Sequence, residues 1–190
     1  MNRVAVCIPT YQRTEMLKKL VRSIFASKLD SNLIKEVDLV IVDNDAEKTA
    51  ESTVALLAEE SSDQFRVHYH CYPIKGLVNV RNELIRQALL RQPDFLAFID
   101  DDEYASPEWL HELILTLVHN EGNLGVGPVI PTFEKKVPFY IAHYFRYHHI
   151  DNYENIDLIE TGNLVARAQF LIDNPDMRFD QRFNTTGAED

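Results

Sequence analysis

Four consecutive acidic residues, Asp100, Asp101, Asp102 and Glu103, follow a short apolar run at 95–99. Carboxylates this close repel one another unless a cation or solvent relieves them. Hard oxygen ligands suit Mg2+ or Mn2+, and either ion also bridges diphosphate oxygens. In a loop just past a strand, alternate residues share a side. Asp100 and Asp102 are therefore expected to face one ligand and Asp101 to face another way. A solvated acidic turn capping the helix after Ser106 accounts for the same residues. Asp43 ends a second apolar run, at 37–43, where a carboxylate either accepts hydrogen bonds from a base or ribose or starts a turn with Asn44. Arg81 and Asn82 follow Gly76, which permits close backbone approach at the start of a helix; on local residues alone Arg81 reads as a surface arginine. Gly187, Ala188, Glu189 and Asp190 offer carboxylates that can act as a general base, though locally they read as a polar tail.

These residues need a scaffold, and the patterning supplies one. Residues 3–9, 37–43, 65–72 and 95–99 are apolar and β-branched, as buried strands should be. Between them, 14–27, 47–60 and 77–90 carry apolar residues at helical spacing, with Thr14 as an expected N-cap. Pro107 suits the first turn of a further helix running to about His119, and 126–130 reads as a fifth strand. Strands alternating with helices imply an α/β fold, a mostly parallel sheet with helices on both faces. In such sheets ligands bind past the carboxyl ends of the strands, where strand order reverses. Thr10 and Tyr11, Asp43, and Asp100 to Asp102 all stand at strand ends of that kind. After about Pro131 the periodicity is lost. His143, His148 and His149, with Tyr140, Tyr144, Phe145 and Tyr147, suit the packing of an irregular lobe, with a sugar-binding surface as the alternative. No ordered Cys/His framework accompanies them, which argues against zinc. No linker interrupts the chain, so 1–190 reads as one domain, its patterning changing between 1–130 and 131–190.

Composition narrows the class. At 190 residues, 45% hydrophobic and 26% charged, the chain suits one globular domain. Its formal net charge of −11 disfavours nucleic acid, whose phosphates need clustered Lys and Arg. The same charge means that an anionic nucleotide needs a mediating cation. Cys7 and Cys71 sit in strand-like runs and read as free thiols of a reducing compartment. No stretch approaches the roughly 20 apolar residues of a membrane span. The dinucleotide pattern G-x-G-x-x-G, the phosphate loop G-x-x-x-x-G-K-[ST] and the nucleophile elbow G-x-S-x-G are all absent.

In order, the motifs resemble family 2 glycosyltransferases of the GT-A fold. Val4-Ala5-Val6-Cys7-Ile8-Pro9-Thr10-Tyr11-Gln12-Arg13 resembles their opening strand and nucleotide loop, and Val40-Ile41-Val42-Asp43-Asn44 their second strand. The segment from Gly76 to Asn82 resembles their Gly-x-x-x-x-Arg-Asn helix start, and Asp100-Asp101-Asp102 their metal-binding Asp-x-Asp. Thr161-Gly162-Asn163 and the final Gly-Ala-Glu-Asp resemble acceptor-side segments. The wording of several motifs is similar to bacterial enzymes of exopolysaccharide assembly, of the succinoglycan type. The resemblance implies that Pro9, Thr10 and Tyr11 cradle the nucleotide, that Asp43 binds the base (uracil), and that Arg81 lies near the nucleotide. Asp100 would lie near the ribose and metal, Asp102 would ligate the Mn2+ or Mg2+, and Asp190 would be the general base. Residues 1–130 would form the nucleotide-sugar-binding part and 131–190 the acceptor-side part, with Glu189, Gly162 and Asn163 on the acceptor side. It implies an inverting transfer from a UDP-sugar to a saccharide or lipid-linked acceptor in the cytoplasm, at the inner face of the membrane where the acceptor is lipid-linked. A nucleotide-sugar-binding module without catalysis and a nucleotidyltransferase are the alternatives. Family members usually continue beyond the Glu-Asp pair, so the chain is expected to be a truncated form that binds donor and transfers weakly or not at all.

Overall fold

The structure is a computed structural model that describes residues 1–133, 135–139 and 161–184. Its centre is a six-stranded sheet: β1 (Asn2–Thr10), β2 (Ile34–Asp43), β3 (Phe65–Cys71), β4 (Phe95–Phe98), β5 (Leu124–Val126) and β6 (Leu164–Arg167). The spatial order is β3-β2-β1-β4-β6-β5. β1, β2, β3 and β4 pair in parallel, whereas β6 runs antiparallel to both β4 and β5.

Helices α1 (Thr14–Phe25), α2 (Glu51–Glu60) and α4 (Trp109–His119) cover one face, and α3 (Leu77–Leu89) and the short α5 (Ala168–Asp173) cover the other. The strand residues divide accordingly. Val4, Val6 and Ile8 pack with Leu17, Leu20 and Ile24 of α1, while Ala5 and Cys7 pack with Val80 and Leu84 of α3. Double coverage is why β1 and β2 read as unbroken apolar runs rather than alternating ones. α1 and α2 lead successive strands outward from β1, and α3 leads back across the other face to β4. Right-handed crossovers require that change of face when the direction of strand addition reverses. The reversal lies between β1 and β4.

Several expected boundaries move, each for a local reason. Thr14 is the first residue of α1 rather than its cap; Arg13 takes the cap position, without a side-chain cap. α2 starts at Glu51, not Glu47, because Lys48 is left-handed (φ 54°) and Asp45 accepts the Glu47 N–H in a turn. Pro107 precedes α4 by two residues. The fifth strand is Leu124–Val126 rather than 126–130, since beyond it the Gly127 N–H turns to the Asn163 carbonyl. β6 carries no clear sequence signal, being four residues that run straight into α5. Cys7 and Cys71 are both free thiols, and Cys7 is fully buried.

Candidate active site

The β1/β4 crevice is closed at its floor by one hydrogen bond. Thr10, the last residue of β1, is buried and donates its hydroxyl to Asp101 Oδ2 at 2.8 Å. Burial pushes the Asp101 carboxyl above its usual range, and the Thr10 and Arg13 contacts pull against that. Arg13 Nη1 lies 3.2 Å from Asp101 Oδ1 and 2.7 Å from Asp102 Oδ2. The acidic turn thus alternates in its exposure. Asp101 points inward, with 7% of its side chain exposed, whereas Asp100 and Asp102 retain 34% and 46%.

Glu103 completes the turn. Its Oε2 accepts the Asp100 N–H at 3.1 Å. Burial, with Asp100 and Asp102 nearby, pushes its carboxyl up to about 7. Gly162 makes room for it, because a Cβ at that position would stand 2.6 Å from Glu103 Oε1. Gly162, expected on the acceptor side, therefore abuts the acidic turn itself.

Asp43 takes a different place from the one expected of a base-binding carboxylate. It has no exposed surface. Its Oδ1 accepts the Asp45 N–H at 2.9 Å, and its Oδ2 accepts the Ala50 N–H at 3.1 Å and the Tyr69 hydroxyl at 2.9 Å. With three donors and full burial, Asp43 holds the loop after β2 in shape. Asn44 is tied as well, donating to the carbonyls of Tyr72 and Ile74. Asp45 receives Thr49 Oγ1 at 2.9 Å and Gln12 Nε2 at 3.2 Å, joining this loop to the one after β1. Gln12 is left-handed (φ 54°), which costs a non-glycine residue of order 1 kcal/mol or more and persists only where neighbours impose it. Tyr11, beside it, is 48% exposed.

Arg81 is not the surface residue its helical position suggests. It is 4% exposed, lies over the Phe179 ring at 5.5 Å, and brings Nη2 to 3.5 Å from Asp100 Oδ2. The segment that carries Phe179 is strapped to α3 by Asn82. Asn82 Nδ2 donates to the Phe179 carbonyl and its Oδ1 accepts the Phe179 N–H, each at 2.9 Å. Asn163 is likewise internal. Its Oδ1 accepts the Trp109 Nε1–H at 2.8 Å and its Nδ2 donates to the Pro128 carbonyl at 2.9 Å, so its side chain ties α4 to the chain beyond β5. The histidine and tyrosine cluster at 140–149, with Glu189 and Asp190, lies outside the described residues.

Thr10, Tyr11, Arg13, Arg81, Asp100 and Asp102 therefore converge where strand order reverses, with Pro9 buried beneath them. Among the described residues, no three His, Cys, Asp or Glu side chains are placed to hold a metal by themselves. Two part-exposed carboxylates are nevertheless a fitting donor set for a hard cation that takes its other ligands from diphosphate and water, the usual arrangement for Mg2+ at nucleotides.

A family model described as glycosyl transferase family 2 matches residues 5–172. The chain belongs to glycosyl transferase family 2. Its site residues all fall inside the matched span, apart from the terminal carboxylates. The succinoglycan biosynthesis protein ExoM of Rhizobium meliloti (strain 1021) is 32% identical over 126 residues, covering 66% of this chain and 38% of ExoM. Two solved structures share the fold. S. aureus TarS 1-349 superposes with a TM-score of 0.67 at 19% identity, covering all of this chain and 52% of that one. A mannosyltransferase, PcManGT from Pyrobaculum calidifontis in complex with GDP-Man and Mn2+, gives 0.65 at 18%, covering 94% and 48%. The family 2 chain thus spans between two fifths and about half of these relatives.

The sequence marks Thr10, Asp100 and Asp102 as site residues and Asp101 as facing another way, but it does not mark Arg13, which bridges Asp101 and Asp102. The signal for Arg13 was its place three residues past Thr10, within reach of any turn beside β1. Nothing in the sequence marked Phe179, 98 residues beyond Arg81, as its partner.

Proposed function

We propose that this chain binds a nucleoside diphosphate sugar, a UDP-sugar by preference, in the β1/β4 crevice, and that its catalytic role is inverting transfer of the sugar to a saccharide or lipid-linked hydroxyl in cell-surface polysaccharide assembly. The observation that carries the reading is the Thr10–Asp101 bond. It seals the crevice floor at the reversal of strand order and leaves Asp100 and Asp102 facing outward above it.

Pro9 and Thr10 form the floor and Tyr11 the mouth, where its exposed ring offers a flat face to a base. Asp102, with Asp100, would hold Mn2+ or Mg2+. Such an ion neutralises charge that develops on a diphosphate leaving group. Arg81, held by Phe179, supplies a fixed positive charge beside Asp100. Transfer also needs a base to take the acceptor proton as the hydroxyl oxygen attacks the anomeric carbon from the face opposite the diphosphate. That single displacement inverts the centre, and general-base assistance typically contributes about 10² to 10⁴ in rate. The sequence resemblance assigns the base to Asp190.

Three lines support the reading: the family to which the chain belongs, the UDP-GlcNAc complex solved for TarS, and the GDP-Man and Mn2+ complex solved for PcManGT. The test is calorimetric titration of UDP into the chain, with Mn2+ and again with excess EDTA. Binding that requires Mn2+ and is lost in Asp102→Ala is the expected result. Equal affinity in EDTA, or in the variant, removes Asp102 as the metal ligand.

A further inference from the structure

Arg13 Nη1 stands 2.7 Å from Asp102 Oδ2, on the carboxylate assigned to the metal. We infer that Arg13 is a tethered counter-cation that competes with the divalent ion for Asp102 and is drawn off by the donor diphosphate, so that metal and nucleotide bind cooperatively. The inference rests on the reading of the site given above and deepens it.

The geometry gives Arg13 two different attachments. Its backbone is fixed, because its carbonyl accepts the N–H groups of Met16 and Leu17, at 3.0 Å each, at the head of α1. Its guanidinium is not sunk in the core, since 52% of the side chain is exposed. One nitrogen bridges two carboxylates of unlike character. Asp101 is buried and already bonded to Thr10, so it is a fixed anchor; Asp102 is half-exposed and able to turn.

A divalent ion and a guanidinium brought to one carboxylate compete for its negative charge. Placed on the two oxygens of one carboxylate, they stand within roughly 4–5 Å, where like charges repel even at high effective dielectric. Metal binding therefore costs the Arg13–Asp102 contact. A free metal ion gives the displaced guanidinium no new partner to replace Asp102, leaving it on Asp101. A diphosphate does, because the planar guanidinium fork matches phosphate oxygens. Each ligand then improves the site for the other, and linkage requires the effect to be equal in both directions.

The experiment measures Mn2+ binding by electron paramagnetic resonance of the free ion, with and without saturating UDP, for the unaltered chain, Arg13→Gln and Arg13→Lys, each checked for an unchanged thermal unfolding profile. Removal of the competing charge should tighten Mn2+ binding in the absence of UDP by about fivefold or more, and shrink the enhancement by UDP by a similar factor. Arg13→Lys, which keeps the charge, should retain most of the competition. Unchanged or weaker Mn2+ binding in Arg13→Gln, with the unaltered chain still binding Mn2+ and UDP together, overturns this inference and leaves the site reading intact. Failure of the unaltered chain to bind Mn2+ even with UDP overturns both.

Discussion

Asp43 shows how little a residue's type says about its use. A carboxylate at the end of an apolar strand can meet a ligand or satisfy its own chain, and the choice depends on how many N–H groups point at it. Here two backbone donors and the Tyr69 hydroxyl do so, in full burial. Removing a buried acceptor leaves each donor unsatisfied, at about 1–3 kcal/mol per group. Asp43→Ala is thus expected to destabilise the chain by about 3 kcal/mol or more in urea unfolding, and Tyr69→Phe by only about 1 kcal/mol. Glu103 carries a different consequence. Its carboxyl is raised in the folded chain to about 7, chiefly by burial. The folded state therefore binds its proton more tightly than the unfolded state does, and this contribution to stability is complete below the unfolded value and lost as pH rises through about 7. Glu103→Gln should flatten the fall in melting temperature between pH 5 and about 7, measured in EDTA so that only protons titrate. A parallel fall in the variant would assign the slope to other groups.

Elements place these residues, and the least obvious placement is the strap at 174–184. It reaches α3 through the paired amide bonds of Asn82 and through Gln181, whose Nε2 donates to Asn79 Oδ1 at 2.9 Å. Gly76 starts the helix beneath it with φ 118°, and a Cβ there would come within 1.9 Å of Asn184. The Asn184 side chain can move aside, but the backbone conformation still disfavours a side chain. Gly76→Ala should cost about 1–3 kcal/mol and weaken UDP binding by loosening Phe179 from Arg81; unaltered stability would show that the helix start relaxes freely. The same strap marks where sequence stops being legible. β1, β2 and β4 could be read because strands covered on both faces must be apolar throughout, and the acidic turn because four carboxylates in a row are conspicuous. β6 could not, since four residues leading directly into α5 show neither alternation nor a turn. The start of α2 was misplaced because the left-handed Lys48 has a side chain that gives no warning of it. Arg81 reads as a surface residue from its helix alone because its contact with Phe179 joins residues that no local pattern connects.

At the scale of the molecule, net charge and topology pull in opposite directions. A chain of formal charge −11 repels a diphosphate, yet its fold gathers Arg13 and Arg81 at the one crevice where strand order reverses. Neither arginine is a free positive charge: each faces a carboxylate, so the crevice offers an anion little net attraction until a divalent ion shifts the balance. Ligands that bind only the folded state stabilise it by mass action, by about 2.7 kcal/mol at 100 times the dissociation constant. For a domain of this size that corresponds to a rise in melting temperature of roughly 5–10 °C. Scanning calorimetry should therefore show a rise of that order with Mn2+ and UDP together, and one clearly smaller than the combined rise when the separate effects of each ligand are added. Strictly additive shifts would mean that metal and nucleotide do not meet at one site. The sheet strands and the acidic turn that build the crevice lie within the first 167 residues and share one pair of cores. Their unfolding should accordingly be a single transition that moves as a whole when ligand is added.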